Sequence, residues 1–160
     1  MTRYLAIAVL FFFCGYLVQR SSGSQQSKPD DQPISLGNFS VSLRVKDLAK
    51  SREFYEKLGF QIRSGDKKRW VVMQNDTAVI GLFQGFIEKS GLTFNPGWDR
   101  NRKTLSAFMD IREIQKVLKS RGVEFATKAD ESSTGPASFT VTDPDGNPVL
   151  VDQFVPAPGK

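Results

Sequence analysis

A chain of 160 residues with 39% apolar content has room for one domain of ordinary size built on its own core. Its formal charge of +5 would suit an anionic partner, yet Lys and Arg are interspersed with Asp and Glu, and no basic block carries interleaved aromatics, which argues against a nucleic-acid interface. The chain has no histidine and a single cysteine, Cys14, so histidine-dependent triads, histidine-glutamate zinc sites, facial iron triads and intrachain disulfides are all excluded.

Arg3 precedes an apolar run over residues 4–18 that Arg20 closes. The run falls short of the roughly 17–25 residues of a membrane span and matches the hydrophobic region of a signal peptide. Ser22 and Ser24 are small enough to serve a signal peptidase, which would start the mature chain near Gln25. An uncleaved anchor is the alternative, because the run ends in no AxA site. Phe13 ahead of Cys14 argues against a lipoprotein. The expectation is therefore a signal peptide or membrane anchor over residues 1–24, an exported domain in the periplasm or outside the cell, and a membrane contact through this segment alone. Residues 25–36, rich in Ser, Gln, Pro and Asp, cannot bury enough apolar surface to order themselves and are expected to form a linker.

From residue 38 to 45 the pattern alternates, with Phe39, Val41, Leu43 and Val45 on one face and Ser40, Ser42 and Arg44 on the other, which predicts a strand. Asp47 can cap a helix that carries Leu48, Phe54, Tyr55 and Leu58 on one side, and Gly59 stands where a left-handed residue ends it. Short apolar runs at residues 60–63, 70–74 and 77–83 are separated by the turn signals SGDKK and ND and predict three further strands. The order recurs 63 residues later: Asp47 corresponds to Asp110, Leu48 to Ile111, Tyr55 to Leu118 and Gly59 to Gly122. Asp110 and Glu113 suit a capping box, and strands are expected at residues 123–127, 138–142 and 149–154, the last two joined by a DPDGN turn. A domain over residues 37–154 and a disordered tail at 155–160 complete the expected organisation.

The segments SVSLRVKDLAKSREFYEKLGF from Ser40 and DPDGNPVLVDQ from Asp143 resemble the vicinal oxygen chelate superfamily, the fold of glyoxalases, fosfomycin- and bleomycin-resistance proteins and ring-cleaving dioxygenases. The resemblance implies an α+β fold in which two βαβββ modules form one cupped mixed sheet with helices on the convex side. It also implies a divalent metal held from the first and last strand of each module. Ser40 stands where the first-strand pattern has histidine, and the 63-residue repeat puts Lys103 at the second such position. The last-strand positions read Gly81 and Leu150. One neutral hydroxyl beside an ammonium cannot hold a divalent cation, so neither a metal nor any other cofactor is expected. Asp152 and Asp110 would offer at most a weak site for a hard ion, and Asp143 and Asp145 belong to a turn whose carboxylates satisfy local amides.

Alternation places Ser40, Ser42, Arg44, Val79 and Gly81 on the concave side, together with Phe83, Lys103, Leu150 and Asp152. Arg44 and Lys103 would offer charge-assisted hydrogen bonds to an anionic or carbonyl-bearing ligand, or Arg44 would pair with Asp152. The connection over residues 85–104 carries Phe94 and Trp98, which either cover the cup and stack on a planar ligand or seal the seam between modules. Trp70 is assigned to core or dimer contacts. The expected function is binding of a small organic molecule in the cup without a catalytic metal. A lyase, isomerase or dioxygenase, metal-independent or with displaced ligands, and an interaction or structural module are the alternatives. Pairing through sheet edges, as in many relatives, would make a homodimer.

Overall fold

The computed structural model describes residues 32–159, so the apolar run, Cys14 and the first part of the linker lie outside the described residues. The first strand, β1 (Asn38–Val45), matches the alternation that predicts it and leads into α1 (Leu48–Lys57). Asp47 caps this helix by accepting from the Lys50 amide at 3.1 Å, and Gly59 follows its end at φ +86°, a conformation open to glycine at little cost. Strands β2 (Gln61–Gly65), β3 (Trp70–Asn75) and β4 (Ala78–Gln84) complete the first module. The second runs through β5 (Gly91–Asn95), α2 (Ile111–Ser120), β6 (Phe125–Thr127), β7 (Ala137–Thr142) and β8 (Pro148–Gln153).

The strands form one eight-stranded mixed sheet in the order β2-β3-β4-β1-β5-β8-β7-β6. The first strands of the two modules run antiparallel at its centre, and each pairs in parallel with the last strand of its own module. This is the expected α+β architecture of two βαβββ units. Each helix covers its own core: Leu48 packs with Val71, Met73, Ile80 and Leu82, and Ile111 and Ile114 with Ala129, Phe139 and Val151. Burial of each such side chain contributes about 1.5–3 kcal/mol, so both helices are fixed to the sheet by packing. The concave face of the sheet is left uncovered by helix.

The 63-residue repeat holds for the helices and fails for the strand before them. Asp110 caps α2 through the Arg112 amide at 2.9 Å, and Gly122 follows at φ +75°, as the correspondence with Asp47 and Gly59 requires. The first strand of module two, however, lies inside the expected connection, at Gly91–Asn95, and residues 96–109 intervene before the cap. The inserted loop displaces the strand from the helix register, and five residues are too few to show a strong alternation beside Gly and Pro.

The two ends of the domain also depart from expectation. Ile34 and Leu36, assigned to the linker, pack against the second core, and the Arg121 guanidinium donates to the Gln32 carbonyl at 2.6 Å. The tail folds back through the Ala157 amide, which donates to the Thr134 carbonyl at 2.9 Å.

Candidate functional site

The concave face encloses a cavity of about 1040 Å³. At the seam between modules Ser42 Oγ and Thr93 Oγ1 share a hydrogen bond of 2.8 Å, tying β1 to β5 from inside the cup. Ser40, Asn38 and Asn95 continue this polar line along the same two strands. The walls are apolar. On one side Trp70 stacks on Phe83 with ring centres 6.4 Å apart, and Phe83 meets Phe86 edge-on at 5.4 Å. On the other side Trp98 and Phe154 lie almost parallel, 4.7 Å apart.

Of the residues expected in the cup, Ser40, Ser42, Val79, Gly81, Phe83, Trp98, Leu150 and Asp152 line it. Arg44 and Lys103 do not. Arg44 continues the alternation but stands near the strand's end, where its side chain is exposed and, among the described residues, only its backbone amide is engaged, donating to Ser90 Oγ at 3.0 Å. Lys103 is displaced because the repeat does not govern the strand: it sits exposed in the inserted loop, where its amide donates to Asp99 Oδ1. Phe94 faces the convex side, packing on the second core and against Phe39 at 5.2 Å, so it seals the seam and does not cover the cup. Trp70, assigned to core or dimer contacts, lines the cavity.

The inserted loop closes one end of the cup. The Arg102 guanidinium lies 4.7 Å over the Trp98 ring and donates from Nη1 to Ser64 Oγ on β2 at 2.8 Å, while Trp98 stacks on Phe154 just past β8. The loop thus spans from the last strand of one module to an edge strand of the other. Arg102, Phe154, Thr93 and Phe86 are among the cup residues that sequence reasoning missed. Phe154 was within reach, since it continues the alternation of Leu150 and Asp152.

The sheet register locates the four positions from which relatives hold a metal. Ser42 pairs with Gly81 as Thr93 pairs with Leu150, so the counterpart of Ser40 in module two is Gly91 and not Lys103. A side chain at Gly81 would put its Cβ 2.5 Å from Cε2 of Phe83, whose ring occupies the space. At Gly91 a Cβ would lie 2.4 Å from the Pro148 carbonyl oxygen. One hydroxyl, a glycine whose space the Phe83 ring fills, a glycine closed off by the Pro148 backbone and one leucine do not fit a divalent metal. Among the described residues no three Asp, Glu, Cys or His side chains converge to replace them.

One ionisable group in the cup stands out. Burial raises the pKa of Asp152 above its ordinary value, and among the described residues no opposing charge offsets it. Among the described residues its carboxylate forms no hydrogen bond or ion pair, while its backbone carbonyl accepts from Asn95 Nδ2 at 3.0 Å. Asp143 behaves as the turn reading requires: its carboxylate accepts from the Asn147 side chain and from the Asn147 and Asp145 amides, which hold its pKa low.

The family model described as Glyoxalase/Bleomycin resistance protein/Dioxygenase superfamily matches residues 39–151. The chain belongs to this superfamily. A comparison with curated proteins finds no match. Among solved structures, that of the NAD-dependent benzaldehyde dehydrogenase from Legionella pneumophila aligns with a TM-score of 0.53 at 20% identity, over 72% of this chain and 98% of the other. A glyoxalase/bleomycin resistance protein/dioxygenase superfamily member from Vibrio splendidus 12B01 aligns at 0.50 and 17% identity, over 72% and 97%. An extradiol ring-cleaving dioxygenase from B. fuscum aligns at 0.49 and 18% identity, over 78% of this chain and 34% of that one. At these identities the likeness is one of fold.

Proposed function

We propose that the chain is a binding protein of this superfamily that holds a small organic molecule in its cup without a catalytic metal. One observation carries the reading: an open cavity of about 1040 Å³ persists where the superfamily's chelating positions have become Ser40, Gly81, Gly91 and Leu150. A cavity of this size with aromatic walls and a few convergent polar groups suits a ligand of drug-like dimensions. Phe83 and Phe154 supply flat contact area, Ser40, Ser42 and Asn38 supply hydrogen bonds, and Trp98 closes one end.

The test is to incubate the full chain with zinc, nickel, manganese and iron in turn, dialyse, and measure bound metal, then to weigh freshly purified protein by native mass spectrometry. Metal well below one equivalent together with a retained small-molecule adduct is expected. Retention of one equivalent of any of the four metals overturns the metal-free reading.

A second reading, a metal-independent lyase or isomerase, draws on Asp152, because a carboxylate with a raised pKa at the cup is suited to proton transfer. Turnover of methylglyoxal with glutathione that survives a chelator and is lost in Asp152→Asn would favour it. The domain is further proposed to work outside the cytoplasm, on the strength of the apolar run over residues 4–18. A reporter active only in the cytoplasm, fused after Lys28, should stay dark, and a bright fusion would sink the export reading.

A further inference from the structure

Asp152 and Phe154 stand on the same side of the chain at the end of β8, and both line the cup. Successive residues on one face of an extended chain are about 7 Å apart, so a carboxylate and an aromatic plate are offered side by side. The plate is rigid, because Phe154 stacks on Trp98 and Trp98 is held in turn beneath Arg102. It is also available, since Phe154 remains 51% exposed. Across the cavity Trp70, Phe83 and Phe86 add aromatic surface of the same kind.

The remaining charged groups on the lining are accounted for. Lys89 reaches the Gly146 carbonyl with its ammonium, at 3.4 Å, and Arg102 is engaged with Ser64 and Trp98. Glu88 adds a second negative charge at the rim. None of them forms an ion pair with Asp152 among the described residues, and no charge offsets its desolvation. A carboxylate partly withdrawn from water without a partner is destabilised when ionised, and a cation delivered by a ligand offsets that penalty. Aromatic faces attract the same cation through their quadrupoles. The overall charge of +5 opposes this only weakly, because exposed charges beyond about 8 Å are screened at physiological salt.

We infer that the cup takes an organic cation, an arylalkyl ammonium or a related amine-bearing aromatic, with the ammonium on Asp152 and the ring against Phe154 and the opposite aromatic wall. This rests on the binding reading above and specifies its ligand class. It replaces the anionic ligand that Arg44 and Lys103 would have favoured had they lined the cup.

Three probes that share a ring and differ in charge test it by calorimetric titration of the full chain: 2-naphthylmethylammonium, 2-naphthylmethanol and 2-naphthoate. The ammonium should bind about tenfold or more tighter than the alcohol, the worth of a charge-assisted hydrogen bond, and the carboxylate weakest. Asp152→Asn should bring the ammonium down to the alcohol and leave the alcohol unchanged, with an unaltered circular dichroism spectrum showing that the variant folds. Equal binding of ammonium and alcohol, or tightest binding of the naphthoate, overturns the cation inference while the binding reading stands. An ammonium preference that survives Asp152→Asn also overturns it. Failure of all three probes to bind overturns the cation inference, while the adduct retained in the native mass spectrum decides the binding reading separately.

Discussion

Gln153 and Ile111 are joined by a hydrogen bond that crosses from sheet to helix: the Gln153 side-chain carbonyl accepts the first free amide of α2 at 2.8 Å. Gln84 makes the same bond to Leu48 at 2.6 Å in the other module. Each last strand therefore supplies a side-chain cap to the helix of its own unit, and fixes where the strand ends relative to it. The two bonds differ in surroundings. Gln153 is fully buried and its amide nitrogen also donates to Asp110 and to the Val155 carbonyl, whereas Gln84 is partly exposed.

Removing a fully buried side chain strands its partners and leaves a void. Gln153→Ala should cost about 2–4 kcal/mol, and Gln84→Ala about 1 kcal/mol because water can replace the lost acceptor. Urea unfolding of the two variants checks this, and equal losses would contradict the difference in burial.

The superfamily's metal site should not be recoverable by restoring its ligands. Gly81→Glu meets the Phe83 ring and Gly91→His meets the Pro148 carbonyl, so each insertion should destabilise the fold by about 1–3 kcal/mol through overpacking. The triple variant Ser40→His, Gly81→Glu, Gly91→His should unfold at a lower temperature and retain no zinc after dialysis. Zinc bound with a raised melting temperature would show that the Phe83 ring and the Pro148 backbone give way to the restored ligands.

The sequence makes the helices legible, because Asp47 with Gly59 and Asp110 with Gly122 are local signals whose meaning does not depend on distant partners. The cup was legible where alternation runs long, as from Ser40 to Ser42 and from Leu150 to Asp152. It was not legible at β5, where Gly91–Asn95 offers too short a pattern, and the helix repeat carried the second ligand position to Lys103 instead of Gly91. The closure of the cup by Arg102 was hidden for a different reason: its partners Trp98 and Ser64 meet only through tertiary folding.

Asp152 should make the protein less stable as it ionises. Its folded pKa lies above the unfolded value, so its stabilising contribution is complete below the unfolded pKa near 3.8 and is lost as the pH rises through the folded one. Asp152→Asn, which lacks the charge, should therefore melt higher than the parent at pH 7, with the difference vanishing as the pH falls toward 3.8. The difference must be read and not the absolute melting point, because Asp66 works in the other direction. Amides of Arg69, Trp70 and Lys68 hold its pKa at about 2, and the stability it adds is lost in acid as that group protonates. Glu88, Lys89 and Arg102 face the same cavity in both proteins and cancel from the comparison. A variant that melts lower than the parent at pH 7 would mean that Asp152 has an electrostatic partner in the full chain.

The loop that closes the cup should be loosened at Arg102 with little effect on the rest of the fold. Arg102 contributes a cation–π contact and one hydrogen bond at an exposed site, about 1–2 kcal/mol together, and all of it is local to the span between Ser64 and Trp98. Its backbone lies at φ +63°, where a residue with a Cβ is strained by about 1 kcal/mol relative to glycine. Arg102→Ala loses the contacts and keeps the strain, while Arg102→Gly loses the contacts and relieves it. Trypsin should therefore cut at neighbouring Arg100 or Lys103 fastest in the alanine variant, more slowly in the glycine variant and slowest in the parent, with similar melting temperatures for all three. Equal cutting of alanine variant and parent would show that Trp98 and Phe154 hold the loop without Arg102. Faster cutting of glycine than alanine would show that chain entropy at this position outweighs the relief of backbone strain.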